Sequence, residues 1–243
     1  MPRDVGTIVV AAGQGTRIGG ETPKQFQLLA GVPIVLRAIR PFTSHPDVAQ
    51  VVLVLPPAQA AHPPAFLSDL SLRSGQALPD SAAVSILTLV PGGPHRGDSV
   101  RAGLAALRAE CALVLVHDGA RPFVERRVID AVIGHARQGE GAIAATPLSD
   151  TLKEVSAHEP TRVVRTRPRA RLWRAQTPQG FPRQILEQAH ARAARLGRRA
   201  TDDAALVEAL GVPVRLVPDS SRNLKITTPD DLALAELLAG VTQ

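Results

Sequence analysis

Ile8-Val9-Val10-Ala11-Ala12-Gly13-Gln14-Gly15-Thr16-Arg17, followed by Pro23-Lys24-Gln25, is the stretch that decides how the chain is read. A run of β-branched residues ends in two alanines and two glycines, and cations follow at positions 17 and 24. Small residues let backbone N–H groups approach an oxygen-rich ligand, and glycine admits the tight φ/ψ that such a loop requires. Arg17 and Lys24 then neutralise what the loop holds, and a polyphosphate matches both features. No Gly-Lys-Ser/Thr follows the glycines, so the loop is not a Walker A loop. A dinucleotide fingerprint would place a third glycine at position 18, where the chain has Ile18. What remains is a βα loop that presents Arg17 and Lys24 to the phosphates of a single nucleotide. A tight turn with two solvated charges is the competing reading.

Around this loop, short β-branched runs alternate with alanine- and leucine-rich helical patterns. Strands are expected at Thr7–Val10, Val51–Leu55, Val84–Val90, Leu113–Val116 and Ala142–Ala145. Their nearly continuous apolar character is that of strands covered on both faces. Helices are expected at Ile34–Phe42, Ser99–Ala109 and Val124–Gln138, with Pro33 placed to start the first. The alternation implies an α/β three-layer nucleotide-binding domain with a mainly parallel sheet, ligands lying at the carboxyl ends of its strands. Residues 56 to 83 read as a surface connection with a short helix.

The rhythm breaks between 148 and 176. Thr151–Val155 and Arg162–Thr166 read as two strands around a His158–Thr161 turn, a projecting two-stranded β-arm. Such an arm is not stable alone and needs a surface to pack on, which a second subunit would provide. Helical patterns resume at Pro182–Leu196 and at Asp202–Leu210, the latter with Thr201 as its N-cap. A strand-like Val212–Val217 and a last helix opening at Pro229-Asp230-Asp231 complete the chain.

Composition narrows the function. Of 243 residues 44% are apolar and 21% charged, as in a globular protein. No apolar run reaches the roughly 18–20 residues of a membrane span, and the N-terminus carries no signal-peptide pattern, so a cytoplasmic location is expected. A single cysteine, Cys111, excludes an internal disulfide. The net charge of +6 points to an anionic partner, and residues 161–199 hold eleven arginines against one acid, Glu187. Nucleic acid is a poor match, because the chain has no tyrosine, one tryptophan and five phenylalanines on which bases could stack.

Two further loops carry chemistry. Gly92-Gly93-Pro94-His95-Arg96-Gly97-Asp98-Ser99, after a strand, forms a shallow seat for a base through backbone groups and a helix-capping Ser99, or a plain capped turn. His117-Asp118-Gly119-Ala120-Arg121-Pro122 puts an acid at a strand end, where Asp118 can hold Mg²⁺ or accept from ribose hydroxyls. His117 reads as a structural histidine. Asp150-Thr151, Arg169, Thr177-Pro178-Gln179, Thr201-Asp202 and Lys225 form a scattered set of hydroxyls and cations suited to a phosphorylated polyol.

In their order along the chain, these motifs resemble the 2-C-methyl-D-erythritol 4-phosphate cytidylyltransferase family of the non-mevalonate isoprenoid pathway. They are Ala11-Ala12-Gly13-x-Gly15-x-Arg17, Pro23-Lys24-Gln25, Gly92-Gly93-x-x-Arg96-x-x-Ser99-Val100, His117-Asp118-x-Ala120-Arg121-Pro122, Asp150-Thr151, Thr177-Pro178-Gln179, Thr201-Asp202-Asp203 and Asn223-x-Lys225. The resemblance runs from residue 5 to about 238. It implies a Rossmann-like nucleotidyltransferase that moves a cytidylyl group from CTP to methylerythritol phosphate, with Mg²⁺ present and pyrophosphate released. It gives Arg17, Lys24, Arg169 and Lys225 catalytic roles. Ala11, Ala12, Gly13, Gly15, Gly92, Gly93, Ser99 and Asp118 would bind the nucleotide, and Asp118 the metal. Arg121, Thr151, Thr177 and Thr201 would line the acceptor side. It also implies a homodimer through the arm at 150–172, within a single cytidylyltransferase domain over 1–243. The chain ends after its last helix, so a monofunctional enzyme is expected. A ribitol phosphate or other polyol-phosphate cytidylyltransferase is the neighbouring alternative, and a basic nucleic-acid-binding module the remote one.

Overall fold

A computed structural model describes residues 3–13, 23–67 and 86–241. In chain order the strands of the main sheet are β1 (Val5–Val10), β4 (Val48–Leu55), β5 (Leu87–Pro91), β6 (Leu113–Asp118), β7 (Gly141–Pro147), β10 (Trp173–Pro182) and β11 (Val214–Pro218). A small hairpin pairs β2 (Leu28–Leu29) with β3 (Val32–Pro33), and a separate two-stranded sheet pairs β8 (Leu152–Val155) with β9 (Val163–Arg167). The helices are α1 (Ile34–Thr43), α2 (Pro57–Ala61), α3 (Arg96–Ala106), α4 (Arg126–Arg137), α5 (Arg183–Arg195), α6 (Ala204–Glu208) and α7 (Pro229–Val241).

The seven strands lie in the order β11-β7-β10-β6-β1-β4-β5. Neighbours are parallel throughout, except that β10 runs antiparallel to both β6 and β7. Because successive side chains of a strand point to opposite faces, a continuous apolar run feeds two cores. Val51, Leu53 and Leu55 of β4 join Val9, Ile39, Phe42, Ile129 and Val132 on one face. Val52 and Val54 join Ile8, Val100, Leu104, Phe181 and Leu186 on the other. That division is the three-layer architecture. Helix α3 lies so close to β1 that a Cβ on Gly103 would come within 2.5 Å of the Ile8 side chain.

Most expected elements are present with ends shifted by a few residues, while several expectations change. β6 extends through His117 and Asp118, because Asp118 still pairs with Val10 of β1. The fifth strand begins at Leu87; Val84 and Ser85 lie outside the described residues. β10 is a long strand through Thr177-Pro178-Gln179, where no strand is expected from the sequence. The register shift between Ala175 and Gln179 takes up Pro178, which has no N–H for the ladder.

The helix caps also differ. Ser99 lies inside α3, whose N-cap is His95 in a reciprocal capping box with Asp98. Thr201 does not cap α6: Asp203 occupies the cap, and Asp202 Oδ1 accepts from Ala205 N–H at 3.1 Å. Among the described residues, no helix is long and apolar enough to cross a membrane.

Candidate active site

The carboxyl ends of β1, β5 and β6 open into a cavity of about 200 Å³. Ala11, Ala12 and Gly13 form one wall, Gly93 to Arg96 with Ser99 another, and Asp118 to Ala120 the floor; Lys24 and Lys225 reach in from the side. The small residues are needed there. A Cβ on Gly92 would lie 2.3 Å from the Ala12 Cβ and 2.8 Å from Ser99 Oγ. One on Gly119 would lie 2.9 Å from the Ala11 Cβ. Gln25, buried in the turn Lys24–Phe26, donates from Nε2 to Ala11 O at 2.9 Å and ties the first loop to the segment carrying Lys24.

A second cavity of about 240 Å³ adjoins the first. Arg121, Gln176, Thr177, Gln179, Thr201 and Asp202 line it, and Arg96, Asp118 and Lys225 line both. The shared residues form an ionic cluster. Lys225 Nζ lies 2.8 Å from Asp118 Oδ2, Arg121 Nε 3.7 Å from the same oxygen, and Arg96 Nε 3.8 Å from Oδ1. Burial would raise the pKa of the Asp118 carboxyl, but Lys225, Arg96 and Arg121 together outweigh it and hold the value down at about 2. Asp118 is therefore ionised at neutral pH.

The supports of Asp118 come from the neighbouring strand. Thr177 Oγ1 accepts from the Asp118 N–H at 3.0 Å and donates to His117 Nδ1 at 3.0 Å. With its proton on Nε2, His117 donates to Arg121 O at 3.0 Å, and this tautomer satisfies all three bonds. Burial lowers the His117 pKa to about 4, so the ring is neutral at physiological pH. His117 is structural, as expected.

On the far side, Arg121 Nη1 donates to Asn223 O at 2.6 Å, and Asn223 Nδ2 donates to Thr177 O at 2.9 Å. This places the Asn223-Leu224-Lys225-Ile226 segment over the strand ends. Lys24 Nζ donates to Ile226 O at 3.2 Å, so both lysines are held by one segment.

The structure thus brings Ala11, Ala12, Gly13, Lys24, Gly93, Ser99, Asp118, Arg121, Thr177, Thr201 and Lys225 to two joined cavities, with Gly92 packed behind the wall. Ser99 Oγ accepts from Gly93 N–H at 3.3 Å and donates to His95 O at 3.3 Å, so it shapes the wall from within. Thr151 and Arg169 are not brought there: both are exposed on the arm, and Arg169 donates to Ser149 O. Gly15 and Arg17 lie outside the described residues.

Sequence reasoning places Arg96 and Gln179 within motifs but gives them no role. Arg96 pairs with buried Asp203 (Nη1 to Oδ2, 2.7 Å), and Gln179 Nε2 donates to Asp202 Oδ2 at 3.0 Å. Their signal is an arginine shortly after a Gly-Gly pair and a glutamine beside a proline, each meaningful only once β10 and α3 are brought together.

Comparison with known proteins gives one answer throughout. The family model described as 2-C-methyl-D-erythritol 4-phosphate cytidylyltransferase matches residues 5–240. A protein of that name from Syntrophus aciditrophicus is 40% identical over 236 residues, covering 97% of this chain and 96% of its own length. A relative named bifunctional enzyme IspD/IspF from Desulforudis audaxviator is 45% identical over 237 residues, 98% of this chain and 57% of that protein. The crystal structure of the 2-C-methyl-D-erythritol 4-phosphate cytidylyltransferase from Thermus thermophilus superposes with a TM-score of 0.74 at 34% identity, covering 96% of this chain and 98% of that one. The motifs that line the two cavities thus sit in a chain matched almost end to end, and the chain belongs to the 2-C-methyl-D-erythritol 4-phosphate cytidylyltransferase family.

Proposed function

We propose that this chain transfers the cytidylyl group of CTP to 2-C-methyl-D-erythritol 4-phosphate, giving 4-diphosphocytidyl-2-C-methyl-D-erythritol and pyrophosphate. The observation that carries the reading is the junction of two cavities at Arg96, Asp118 and Lys225, one walled by small residues and one by polar side chains. The nucleotide takes the first cavity, against Ala11, Ala12, Gly13, Gly92, Gly93 and Ser99, and Gly15 and Arg17 bind it with them. The acceptor takes the second, beside Arg121, Thr177 and Thr201.

An oxygen of the acceptor phosphate attacks the α-phosphorus of CTP in line. The bond to the bridging oxygen breaks as the new one forms, and pyrophosphate leaves with that electron pair. A phosphate monoester is already a nucleophile, so the protein's work is to align the two phosphates and disperse negative charge. Lys24 and Arg17 neutralise charge on the reacting α-phosphate and the departing pyrophosphate, while Lys225 and Arg169 orient the attacking phosphate. Each fixed cation contributes on the order of 3–4 kcal/mol to transition-state stability, by analogy with oxyanion-hole donors.

Among the described residues, no three His, Cys, Asp or Glu side chains gather into a metal cage. One carboxylate oxygen completed by substrate phosphates and water is an ordinary Mg²⁺ set, and Asp118 fits an ion that arrives with the triphosphate. When bound there, Mg²⁺ supplies further neutralisation of phosphate charge.

The arm at 150–172 belongs, in this reading, to a single domain spanning 1–243 and forms a homodimer contact. Leu152, Val155, Val163, Val164, Leu172 and Trp173 are all exposed on or beside it, more apolar surface than a small two-stranded sheet leaves in water. In a dimer Thr151 and Arg169 reach the neighbour's acceptor cavity. The cytoplasm, where CTP is made and used, is the proposed location.

The test is the product. Mass spectrometry of a reaction with CTP and methylerythritol phosphate, run beside ribitol 5-phosphate, should find the diphosphocytidyl methylerythritol. Turnover confined to ribitol phosphate would overturn the acceptor assignment. Salt-sensitive RNA or DNA binding without turnover of any nucleotide would overturn the enzyme.

A further inference from the structure

His190 lies on α5, outside the two joined cavities, and is linked to the loop that carries Arg96 by a chain of polar contacts. Its side chain is buried, with Nε2 2.9 Å from Asp203 Oδ1. The other oxygen of that carboxylate, Oδ2, accepts from Arg96 Nη1 at 2.7 Å, and Arg96 Nε stands 3.8 Å from Asp118 Oδ1. Three side chains therefore connect α5 to the junction of the two cavities.

The backbone of Asp203 is fixed independently, since Gln179 Oε1 accepts from the N–H groups of both Asp203 and Ala204 at 3.1 Å. What that leaves free is rotation of the side chain about its Cα–Cβ and Cβ–Cγ bonds. His190 removes this freedom: with Nε2 on one oxygen, the other is aimed at the guanidinium. Its own Nδ1 is buried without a hydrogen-bond partner among the described residues. Leu186, Ala189, Ala204 and Val207 form the apolar packing of this region, and an aliphatic side chain could fill the place, but it would leave Asp203 Oδ1 without the hydrogen bond that His190 gives it. Packing alone thus gives no reason for an imidazole. The ionic reason does, because burial works against the Asp203 carboxylate while His190 and Arg96 keep it ionised.

We infer that His190 is a positioning residue of the transfer reaction, which orients the Asp203 carboxylate so that it holds Arg96 against Asp118 at the junction of the nucleotide and acceptor cavities. This rests on the proposed cytidylyl transfer. Its failure is told apart from that of the transfer reading because the wild-type chain is assayed first, and because one readout needs no turnover.

The experiment uses the full chain with CTP and methylerythritol phosphate and follows pyrophosphate release. His190→Leu should lower kcat/KM for CTP about tenfold, the effect expected of losing one charge-assisted hydrogen bond. His190→Gln, whose amide nitrogen can occupy the Nε2 position, should recover to within about threefold of wild type, whereas His190→Asn should not. In an Arg96→Gln background the leucine substitution should change kcat/KM by less than about twofold, since nothing remains to be oriented. The Arg96 Nε–H resonance should shift in His190→Leu and return in His190→Gln, whatever the rate. Should His190→Leu not fold, the glutamine and asparagine variants carry the same comparison. A loss that persists undiminished without Arg96, equal rates for His190→Gln and His190→Asn, or an unmoved Arg96 resonance would each overturn the inference and leave His190 a structural residue.

Discussion

Lys225 Nζ and Asp118 Oδ2 lie 2.8 Å apart where the two cavities meet, although one side chain comes from the segment before the last helix and the other from a strand end. Lys225→Ala removes the nearest cation from Asp118 and, under the proposed reaction, a cation from the acceptor phosphate. The expected result is a fall of about 10²–10³ in kcat/KM for the acceptor, with the fold retained by circular dichroism. A loss below tenfold in steady-state assays would remove Lys225 from the reaction.

Acid stability should weaken in two steps. His117 has a folded-state pKa of about 4 against 6.5, so the unfolded chain binds its proton first and stability falls as the pH drops from 6.5 towards 4. That step amounts to about 3 kcal/mol. Asp118, with a folded-state pKa of about 2 against 3.8, adds stability that is complete above pH 3.8 and is lost on the way down to 2, about 2 kcal/mol. Urea unfolding between pH 7 and 2 checks both windows. In His117→Gln the upper step should be missing and the lower one unchanged.

Lys24→Ala should separate binding from chemistry. If Lys24 meets charge that grows in the transition state, kcat falls by about 10²–10³ while the dissociation constant for CTP moves only a few-fold. Equilibrium titration with CTP beside steady-state kinetics gives both numbers. Collapsed affinity with unchanged kcat would make Lys24 a ground-state contact.

Two glycine substitutions should behave oppositely. Gly92→Ala pushes a methyl group within 2.3 Å of the Ala12 Cβ, so the wall of the nucleotide cavity must shift and KM for CTP should rise about tenfold. Gly134 lies exposed inside α4, with nothing within 4 Å of an added Cβ. Gly134→Ala should stabilise the chain by about 0.5–1 kcal/mol and leave activity alone. Thermal unfolding and CTP kinetics on both variants decide the matter.

On the arm, Val155 and Val163 face each other across the two strands and both are about half exposed. A Val163→Glu substitution puts a charge into any interface formed there. Light scattering should then give a monomer, and activity should fall with it if Thr151 and Arg169 act across the interface. A monomeric wild-type chain with full activity would remove both residues from the site.

The parallel strands could be read from sequence because they are apolar on both faces, as with Val51 to Leu55, and a short unbroken run of β-branched residues suits a strand covered on both sides. β10 could not. Its proline, glutamines and glycine have no strand pattern of their own, and it is a strand only because β6 and β7 offer ladder groups on either side. Residue type and order single out Ala11 to Gly13, Asp118 and Lys225, and the structure puts them around one cavity. They do not single out the chain His190–Asp203–Arg96, since Arg96 and Asp203 are 107 positions apart and each member looks like a surface or core residue alone. Ser99 and Thr201 misled for a simpler reason: a hydroxyl before a helical pattern is a good cap, yet His95 and Asp203 were better placed by the turns they sit in.

Asp118, Arg96 and Lys225 line both cavities, so neither ligand can bind without altering the field that the other meets. An anion in the first cavity draws on the same lysine that an anion in the second requires. By thermodynamic linkage, whatever factor CTP imposes on the affinity for the acceptor, the acceptor imposes on the affinity for CTP. The shared cluster makes any coupling between the two ligands a property of three side chains.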